Sequence, residues 1–138
     1  MLNPDMFIGK WILDVALNNY ETPNAPKKGT YTISKVSNDI LRFDMEWISF
    51  DDQNMEASYL SHIDGKKHPY ENPEIADFTE TTLISEKIMQ TCTYKDGHLT
   101  SKGLRELSDD NNDLHIIQQY LTPDGHTISN RSVYHRSI

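Results

Sequence analysis

The sequence contains a single cysteine and no long apolar run. Because Cys92 alone cannot form an intramolecular disulfide, a reduced, cytoplasmic setting is the simplest expectation. No 18 consecutive apolar residues occur, so no membrane-spanning segment is predicted. The first residues have neither a basic region nor an apolar core, which argues against a secretory signal.

Basic residues are also scarce, with 13 Lys and Arg against 21 Asp and Glu and a formal net charge of -8. Nucleic acids and anionic membranes are recognised by clustered basic faces, so neither is expected as a partner. The acidic stretch 109–113 lacks the ligand spacing of a calcium loop and is predicted to be a solvated loop. The six histidines show no His-Glu-x-x-His spacing, so we expect no metal and no cofactor.

Three Asp-Gly pairs each lie between two runs of alternating apolar and polar residues: Asp64-Gly65, Asp96-Gly97 and Asp124-Gly125. Asp-Gly supplies the positive φ angles of tight hairpin turns, so the pattern predicts an antiparallel meander. The 138 residues show no linker or composition shift, which indicates one domain over 1–138.

Alternating runs predict strands at 7–17, 29–36, 40–50, 55–63, 78–85, 87–95, 98–108, 114–122 and 127–136. The proline-bearing segments 18–28 and 68–77 are predicted to be loops that frame a mouth. A meander of about eight to ten strands can remove its exposed edges by closing, so we predict an all-β barrel with a filled interior or room for one small ligand.

Strand parity predicts which side chains point inward, because a strand repeats every two residues. The early strands give a clearly apolar inner face, with Leu41, Phe43, Met45 and Trp47 as the clearest case. Polar side chains on the later inner faces would be costly in a dry core, so they favour a partly wetted cavity. The remaining predicted inward residues are Gly9, Trp11, Leu13, Val15, Tyr31, Ile33, Met55, Ala57, Tyr59, Ile63, Ile88, Gln90, Cys92, Tyr94, Leu99, Ser101, Gly103, Arg105, Leu107, Leu114, Ile116, Gln118, Tyr120, Ile128, Asn130, Ser132 and Tyr134.

Arg105 is the only basic side chain in the later inward set. A buried guanidinium needs an anion or several oxygen acceptors for its five donors, so Arg105 is a candidate for binding the acidic end of a ligand. The alternative is a structural role, stacked on Trp11 or paired with an acidic neighbour. The full candidate set adds Tyr59, Tyr94, Gln118, Tyr120, Asn130 and Tyr134, with Phe43, Met45 and Trp47 as an apolar wall. Ordinary core packing is the alternative for the aromatic members.

The opening Phe7-x-Gly9-x-Trp11 before a meander resembles the calycin group, the lipocalins and fatty-acid-binding proteins. The resemblance implies a barrel in which Gly-x-Trp begins the first strand and the tryptophan closes one end. The C-terminal half is similar to small lipocalin-like proteins of microbes in Tyr94-Lys95-Asp96-Gly97, Arg105-Glu106, Tyr120-Leu121-Thr122-Pro123-Asp124-Gly125 and Val133-Tyr134-x-Arg136.

The sequence departs from both better-known patterns. Fatty-acid-binding proteins insert two helices after the first strand, which the prolines of 18–28 oppose. Their carboxylate-gripping Arg-x-Tyr is not reproduced, because Arg131 and Tyr134 are three residues apart. The disulfide and the Thr-Asp-Tyr motif of secreted lipocalins are absent. The resemblance therefore carries over the barrel, with Gly9 and Trp11, but not a ligand.

The leading functional expectation is binding of a small, largely apolar or amphipathic molecule with one polar end inside the barrel. An enzyme of isomerase, cyclase or decarboxylase type is the first alternative, with tyrosines, Arg105 and His62 moving protons. No catalytic motif occurs, so the sequence leans against it. The second alternative is an interaction protein with a filled barrel, such as a homodimer through an outer sheet face. Ile48 and Phe50 lie at the end of one predicted strand, and one of them is expected to be exposed there.

Overall fold

The computed structural model describes residues 2–137, which form eleven antiparallel strands and two short 3-10 turns. The strands are β1 (Gly9–Leu13), β2 (Asn19–Tyr20), β3 (Lys28–Ser37), β4 (Ile40–Ile48), β5 (Asn54–His62), β6 (Lys67–Pro69), β7 (Phe78–Ser85), β8 (Ile88–Lys95), β9 (His98–Leu107), β10 (Asp113–Leu121) and β11 (Thr127–Arg136). Short strand β2 lies inside the predicted loop 18–28 and β6 overlaps the start of the predicted loop 68–77, so the structure has two strands more than the nine predicted. None of the described helices is long and apolar enough to cross a membrane.

The strands form one nearly closed meander in the order β5-β4-β3-β1-β11-β10-β9-β8-β7-β6, with β2 added beside β11. The predicted all-β antiparallel barrel is confirmed. Its seam lies between β5 and the β6–β7 edge, where the Ser61 and Thr81 hydroxyls are 2.7 Å apart. The Gly65 N–H also donates to the Thr81 carbonyl at 2.9 Å. Side chains and a turn thus close the sheet where the regular ladder ends.

Two of the three Asp-Gly pairs form the predicted hairpins. Asp96 and Gly97 have φ angles of 52° and 79° and join β8 to β9, as two positive φ values in a tight turn require. Gly125 has a φ of 88° in the turn from β10 to β11. The prediction is wrong for Asp64-Gly65, which joins β5 to β6; these two strands do not pair with each other among the described residues. The Asp64-Gly65 turn therefore lies at the seam of the barrel and not within a hairpin.

The predicted first strand, 7–17, is broken after Leu13. The Asp14 side chain accepts the Ala16 N–H at 3.2 Å and begins a 3-10 turn over Val15–Leu17. Such a local side-chain bond competes with the strand ladder. Val15, predicted to point inward, is exposed as a result. The helices of fatty-acid-binding proteins have no counterpart here beyond this single turn.

Trp11 closes one end of the barrel and is completely buried. Its indole N–H donates to the Phe7 carbonyl at 3.0 Å. The Arg136 guanidinium lies 4.2 Å from the indole centroid and donates to the Met6 and Ile8 carbonyls at 2.7 and 2.8 Å. The surrounding core consists of Phe7, Tyr31, Ile33, Leu41, Phe43, Met89, Leu107 and Leu114. Arg136 therefore occupies the position on Trp11 that the sequence analysis considered for Arg105.

Candidate functional site

Arg105 lies in β9 with its side chain inside the barrel, where it is 7% exposed. Its Nε donates to the Tyr31 hydroxyl at 2.9 Å and its Nη2 to the Tyr59 hydroxyl at 2.7 Å. Its Nη1 donates to the Thr91 hydroxyl at 3.1 Å. These acceptors come from β3, β5 and β8, so one guanidinium connects opposite walls of the barrel.

The positive charge of Arg105 has no anionic partner in the barrel: none of residues 2–137 forms an ion pair with it. The guanidinium instead lies 4.6 Å from the Phe43 ring centroid and 6.0 Å from that of Tyr31. Aromatic faces attract a cation but do not neutralise it. Three of the five N–H groups donate to hydroxyls, which leaves one on each Nη nitrogen. The guanidinium can therefore donate two further hydrogen bonds to the oxygens of an anion.

The protonation states at this centre follow from burial. Burial alone would lower the pKa of Arg105, but the Tyr31 and Tyr59 hydroxyls outweigh it and raise the pKa above its ordinary value. Burial raises the pKa of Tyr31 well above its ordinary value, with partial opposition from Arg105. Burial likewise raises the pKa of Tyr134 to about 12. At neutral pH the site thus holds a charged guanidinium beside protonated phenols, and the hydroxyl of Tyr31 keeps its own proton to donate.

An aromatic wall surrounds the guanidinium. Phe43 and Tyr59 are stacked with centroids 5.0 Å apart and an interplanar angle of 15°. Tyr31 is 5.7 Å from both Phe43 and Tyr134. Four predicted site residues, Arg105, Tyr59, Tyr134 and Phe43, therefore come together in the structure. Tyr31 was predicted to point inward but was not predicted as a site residue. Its hydroxyl accepts from the Arg105 Nε, so it belongs to the site.

A row of hydroxyls leads from Arg105 towards the seam. The Thr91 hydroxyl, which accepts from Arg105, is 3.0 Å from that of Thr81, and Thr81 is in turn bonded to Ser61. Thr91 was not predicted as a site residue, because the predicted inner face of β8 was the set Ile88, Gln90, Cys92 and Tyr94. In the structure Met89 and Thr91 point inward instead. A register irregularity between Leu83 and Ser85, just before this strand, shifts its phase relative to a regular hairpin.

Tyr94 consequently lies on the outer face, away from Arg105. Its hydroxyl is 3.5 Å from a Glu80 carboxylate oxygen, and the Lys67 ammonium lies 4.4 Å from its ring centroid. Burial, followed by the nearby Cys92 and Glu80, raises the pKa of Tyr94. Tyr94 was predicted to point inward, and its contacts with Glu80 and Lys67 show that this prediction is wrong.

Asn130 points inward as predicted, but all its polar atoms bind the chain itself. Its Oδ1 accepts the N–H groups of Glu21 and Thr22 at 3.1 and 3.2 Å, and its Nδ2 donates to the Thr22 hydroxyl at 2.8 Å. Tyr20, on the same segment, is 3.1 Å from the Ser132 hydroxyl. Asn130 thus fastens the 19–22 segment to the barrel wall, a partner that parity could not reveal.

Gln118 lies over Gly103 on the neighbouring strand. A Cβ atom at Gly103 would be 2.8 Å from the Gln118 Oε1, so the glycine makes room for this side chain. Tyr120 follows two residues further along β10 and is partly exposed towards the end opposite Trp11. These two candidates lie on the predicted inner parity, and neither contacts Arg105 by a hydrogen bond in the described residues.

A depression of about 570 Å³ crosses β3, β4 and β5 at the end of the barrel opposite Trp11. Three of its lining residues, Gly29, Trp47 and Met55, have the inner parity, and the others, Lys28, Thr30, Glu46, Ile48, Asn54 and Glu56, have the outer parity. Trp47, Met45 and Phe43 follow one another on the inner face of β4, over roughly 13 Å at the usual rise of a strand. This row forms an apolar face from that end of the barrel to the ring beneath Arg105.

These features define the class of protein: a nearly closed antiparallel β-barrel with a charged guanidinium inside. No protein-family model and no curated protein sequence matches the chain. Among solved structures it is similar to apo lipid binding protein 8 of Caenorhabditis elegans, with 16% identity, 99% of each chain covered and a TM-score of 0.63. Wild-type fluorescent protein UnaG matches at 14% identity, 96% and 98% coverage and a TM-score of 0.62.

A third similar structure is zebrafish ileal bile acid-binding protein complexed with cholic acid. It matches at 13% identity, with 96% of this chain and 99% of that chain covered and a TM-score of 0.56. At these identities the likeness concerns the fold. The shared fold is a nearly closed β-barrel. This fold is not specific to the microbial lipocalin-like proteins that the sequence resembles.

Proposed function

We propose that this barrel binds a small, largely apolar molecule whose anionic end contacts Arg105. The observation that carries the proposal is a buried guanidinium without a carboxylate partner and with two unused N–H groups. A buried charge without a counter-ion is costly, and an anionic ligand would remove that cost. The phenol of Tyr31 would donate to the same anion, because its oxygen already accepts from Arg105.

The remaining inner surface suits an apolar body. Met45 and Trp47 extend the apolar inner face of β4 beyond Phe43, and each buried methylene of a ligand contributes roughly 0.8 kcal/mol. Gln118, Tyr120 and Tyr134 provide further polar contacts along the wall. The similar structures support the same ligand class, since one is a lipid binding protein and another holds cholic acid. Tyr94 and Asn130 are left out of the proposed site because their contacts are elsewhere.

We also propose that the chain is related to the microbial lipocalin-like proteins, on motifs such as Val133-Tyr134-x-Arg136. A cytoplasmic location depends on the free, buried Cys92. A homodimer would use the outer surface near Phe50, which is exposed. Neither nucleic acid nor membrane is proposed as a partner, given the charge of -8.

Replacing Arg105 with Met is the test of the proposed site. Dodecanoic acid and dodecanol have the same chain and differ in the charged end, so each is titrated against a fluorescent apolar probe bound to the protein. The wild type is expected to bind the acid more tightly than the alcohol. Arg105→Met should weaken acid binding by about 10- to 100-fold, since charged hydrogen bonds contribute about 1.5 to 3 kcal/mol. Alcohol binding should change by less than about threefold.

Arg131→Met is the matched control, because Arg131 is an exposed arginine on the outer face of β11. It removes the same charge and should leave both affinities unchanged. Circular dichroism checks that each variant is folded. Equal affinity for acid and alcohol in the wild type, or equal losses in the two arginine variants, would contradict the proposal.

A further inference from the structure

A second polar cluster lies at the barrel seam, outside the cavity. His62 is the last residue of β5, Asp64 lies in the following turn and His68 lies in β6. Their spacing matches no sequence motif for a metal, but the turn brings their donor atoms within 4.8 Å of one another. Two imidazoles and one carboxylate are thus presented together by two strands that do not pair.

The turn holds this cluster in place. Gly65 has a φ of 72°, and its N–H donates to the Thr81 carbonyl at 2.9 Å, which anchors the turn on β7. The Asp64 Oδ1 accepts the Lys66 N–H at 2.9 Å. Burial would raise the pKa of Asp64, but the Lys66 N–H and the contact with His68 outweigh it and lower the pKa. The carboxylate is therefore anionic at neutral pH and fixed in orientation.

The two histidines lie against this carboxylate. The His68 Nε2 is 3.0 and 2.8 Å from the two Asp64 oxygens. The His62 and His68 rings are stacked with centroids 4.0 Å apart and an interplanar angle of 12°. The side chains of His68 and Asp64 are 30% and 23% exposed, so an ion from solvent can reach them.

We propose that His62, Asp64 and His68 bind a divalent transition-metal ion, Zn²⁺ in the first instance, with water as the fourth ligand. Zn²⁺ takes histidine nitrogen and carboxylate oxygen at about 2.0 to 2.2 Å in a tetrahedral site, and three protein ligands leave one open position. Such bonds place the donor atoms about 3.3 Å apart. Small rotations of these partly exposed side chains achieve this. The metal takes the place of the proton between the His68 Nε2 and Asp64, and the imidazole proton moves to the Nδ1 of His68.

Binding here would connect β5 to β6 across the seam. These strands form opposite ends of the paired sheet order, and side chains and a turn join them in place of a ladder. A ligand that binds the folded state alone stabilises it in proportion to its concentration over Kd. Zn²⁺ should therefore raise the melting temperature, independently of any molecule in the cavity.

Two other His–Asp contacts among the described residues do not present three donor atoms to a single ion. His126 contacts Asp124, but both side chains are largely exposed and form only a pair. His135 directs its Nδ1 to Asp113 and its Nε2 to Asp14, each at 2.7 Å, so its two nitrogens face different carboxylates. The convergence of three donors distinguishes the seam cluster from these contacts.

The test is titration of the full chain with Zn²⁺ by calorimetry near pH 7, with Co²⁺ absorption as a second reading of coordination. The wild type should bind one ion, and its melting temperature should rise. His62→Gln, His68→Gln and Asp64→Asn should each weaken binding at least about tenfold and abolish the rise, because each removes a direct ligand. His126→Gln is the matched control and should bind as the wild type does.

Each alternative outcome overturns the proposal. Absence of one-to-one binding by the wild type does so, as does an equal loss of affinity in the His126 and His68 variants. Asp64→Asn keeps the shape of the side chain, so it tests the ligand set if a histidine variant fails to fold. The acid and alcohol affinities of the cavity should be unchanged by Zn²⁺, which separates this site from the proposed ligand site.

Discussion

Replacing Trp11 with Ala is expected to lower the free energy of unfolding by about 3 to 5 kcal/mol, the usual range for a fully buried tryptophan. Trp11 has no exposed surface, donates to the Phe7 carbonyl and supports Arg136 on its ring. Its loss leaves a cavity and frees the guanidinium that holds Met6 and Ile8. Urea denaturation followed by circular dichroism measures the effect.

Trp47 provides the matched control, because it is the second tryptophan and lies half-buried at the end of the barrel opposite Trp11. Trp47→Ala should cost less than about 2 kcal/mol, as expected for a side chain that folding leaves partly in water. A Trp11→Ala loss below about 1 kcal/mol, or no larger than that of Trp47→Ala, would contradict the assignment of Trp11 as the closed end of the barrel.

Replacing Phe43 with Ala should have a comparable cost, about 3 to 5 kcal/mol. Phe43 is fully buried, stacks on Tyr59 and lies 4.6 Å beneath the Arg105 guanidinium. Ala removes packing and the attraction between ring and cation together. Phe43→Leu keeps most of the volume without a π face, so it should cost about 1 to 2 kcal/mol.

Phe50 is the surface control for this experiment, since it is an exposed phenylalanine just after β4. Phe50→Ala should change stability by less than about 0.5 kcal/mol. Equal effects of Phe43→Ala and Phe43→Leu would show that the aromatic face, which both variants lose, determines the cost, and not the volume that Leu keeps. Equal effects of Phe43→Ala and Phe50→Ala would refute a buried Phe43.

Much of the fold could be predicted from the sequence because its signals are local. Alternation along 40–50 identified the inner face of β4, and Asp96-Gly97 marked a hairpin whose φ values only such residues adopt readily. Arg105 could be predicted as an inward cation for the same reason. Its neighbours Tyr59 and Tyr134 followed from parity on their own strands.

The rest depends on contacts between residues distant in sequence. The register of β8 is irregular near Ser85, and the inner face of β8 includes a polar residue, Thr91, whose hydroxyl accepts from Arg105. The prediction took the more apolar face of β8 as the inner face. It therefore chose the wrong face and included Tyr94. Asn130 appeared to be a free inward amide, but the 19–22 segment binds it.

The seam illustrates the same limit. Asp64-Gly65 has the composition of a hairpin turn, yet it joins two strands that end the sheet on opposite sides. The turn between them, anchored on β7 by the Gly65 N–H, brings His62 beside His68. No metal motif contains this spacing, because the distance is set by the path of the turn along the seam.

The most direct test of a ligand-binding barrel is native mass spectrometry of the purified protein, followed by denaturing extraction and identification of what co-purifies. The account predicts a stoichiometric molecule with an apolar body and an acidic end, absent from Arg105→Met. A clean mass, with no adduct after incubation with a fatty acid either, would contradict it. That result would favour an interaction protein with a filled barrel.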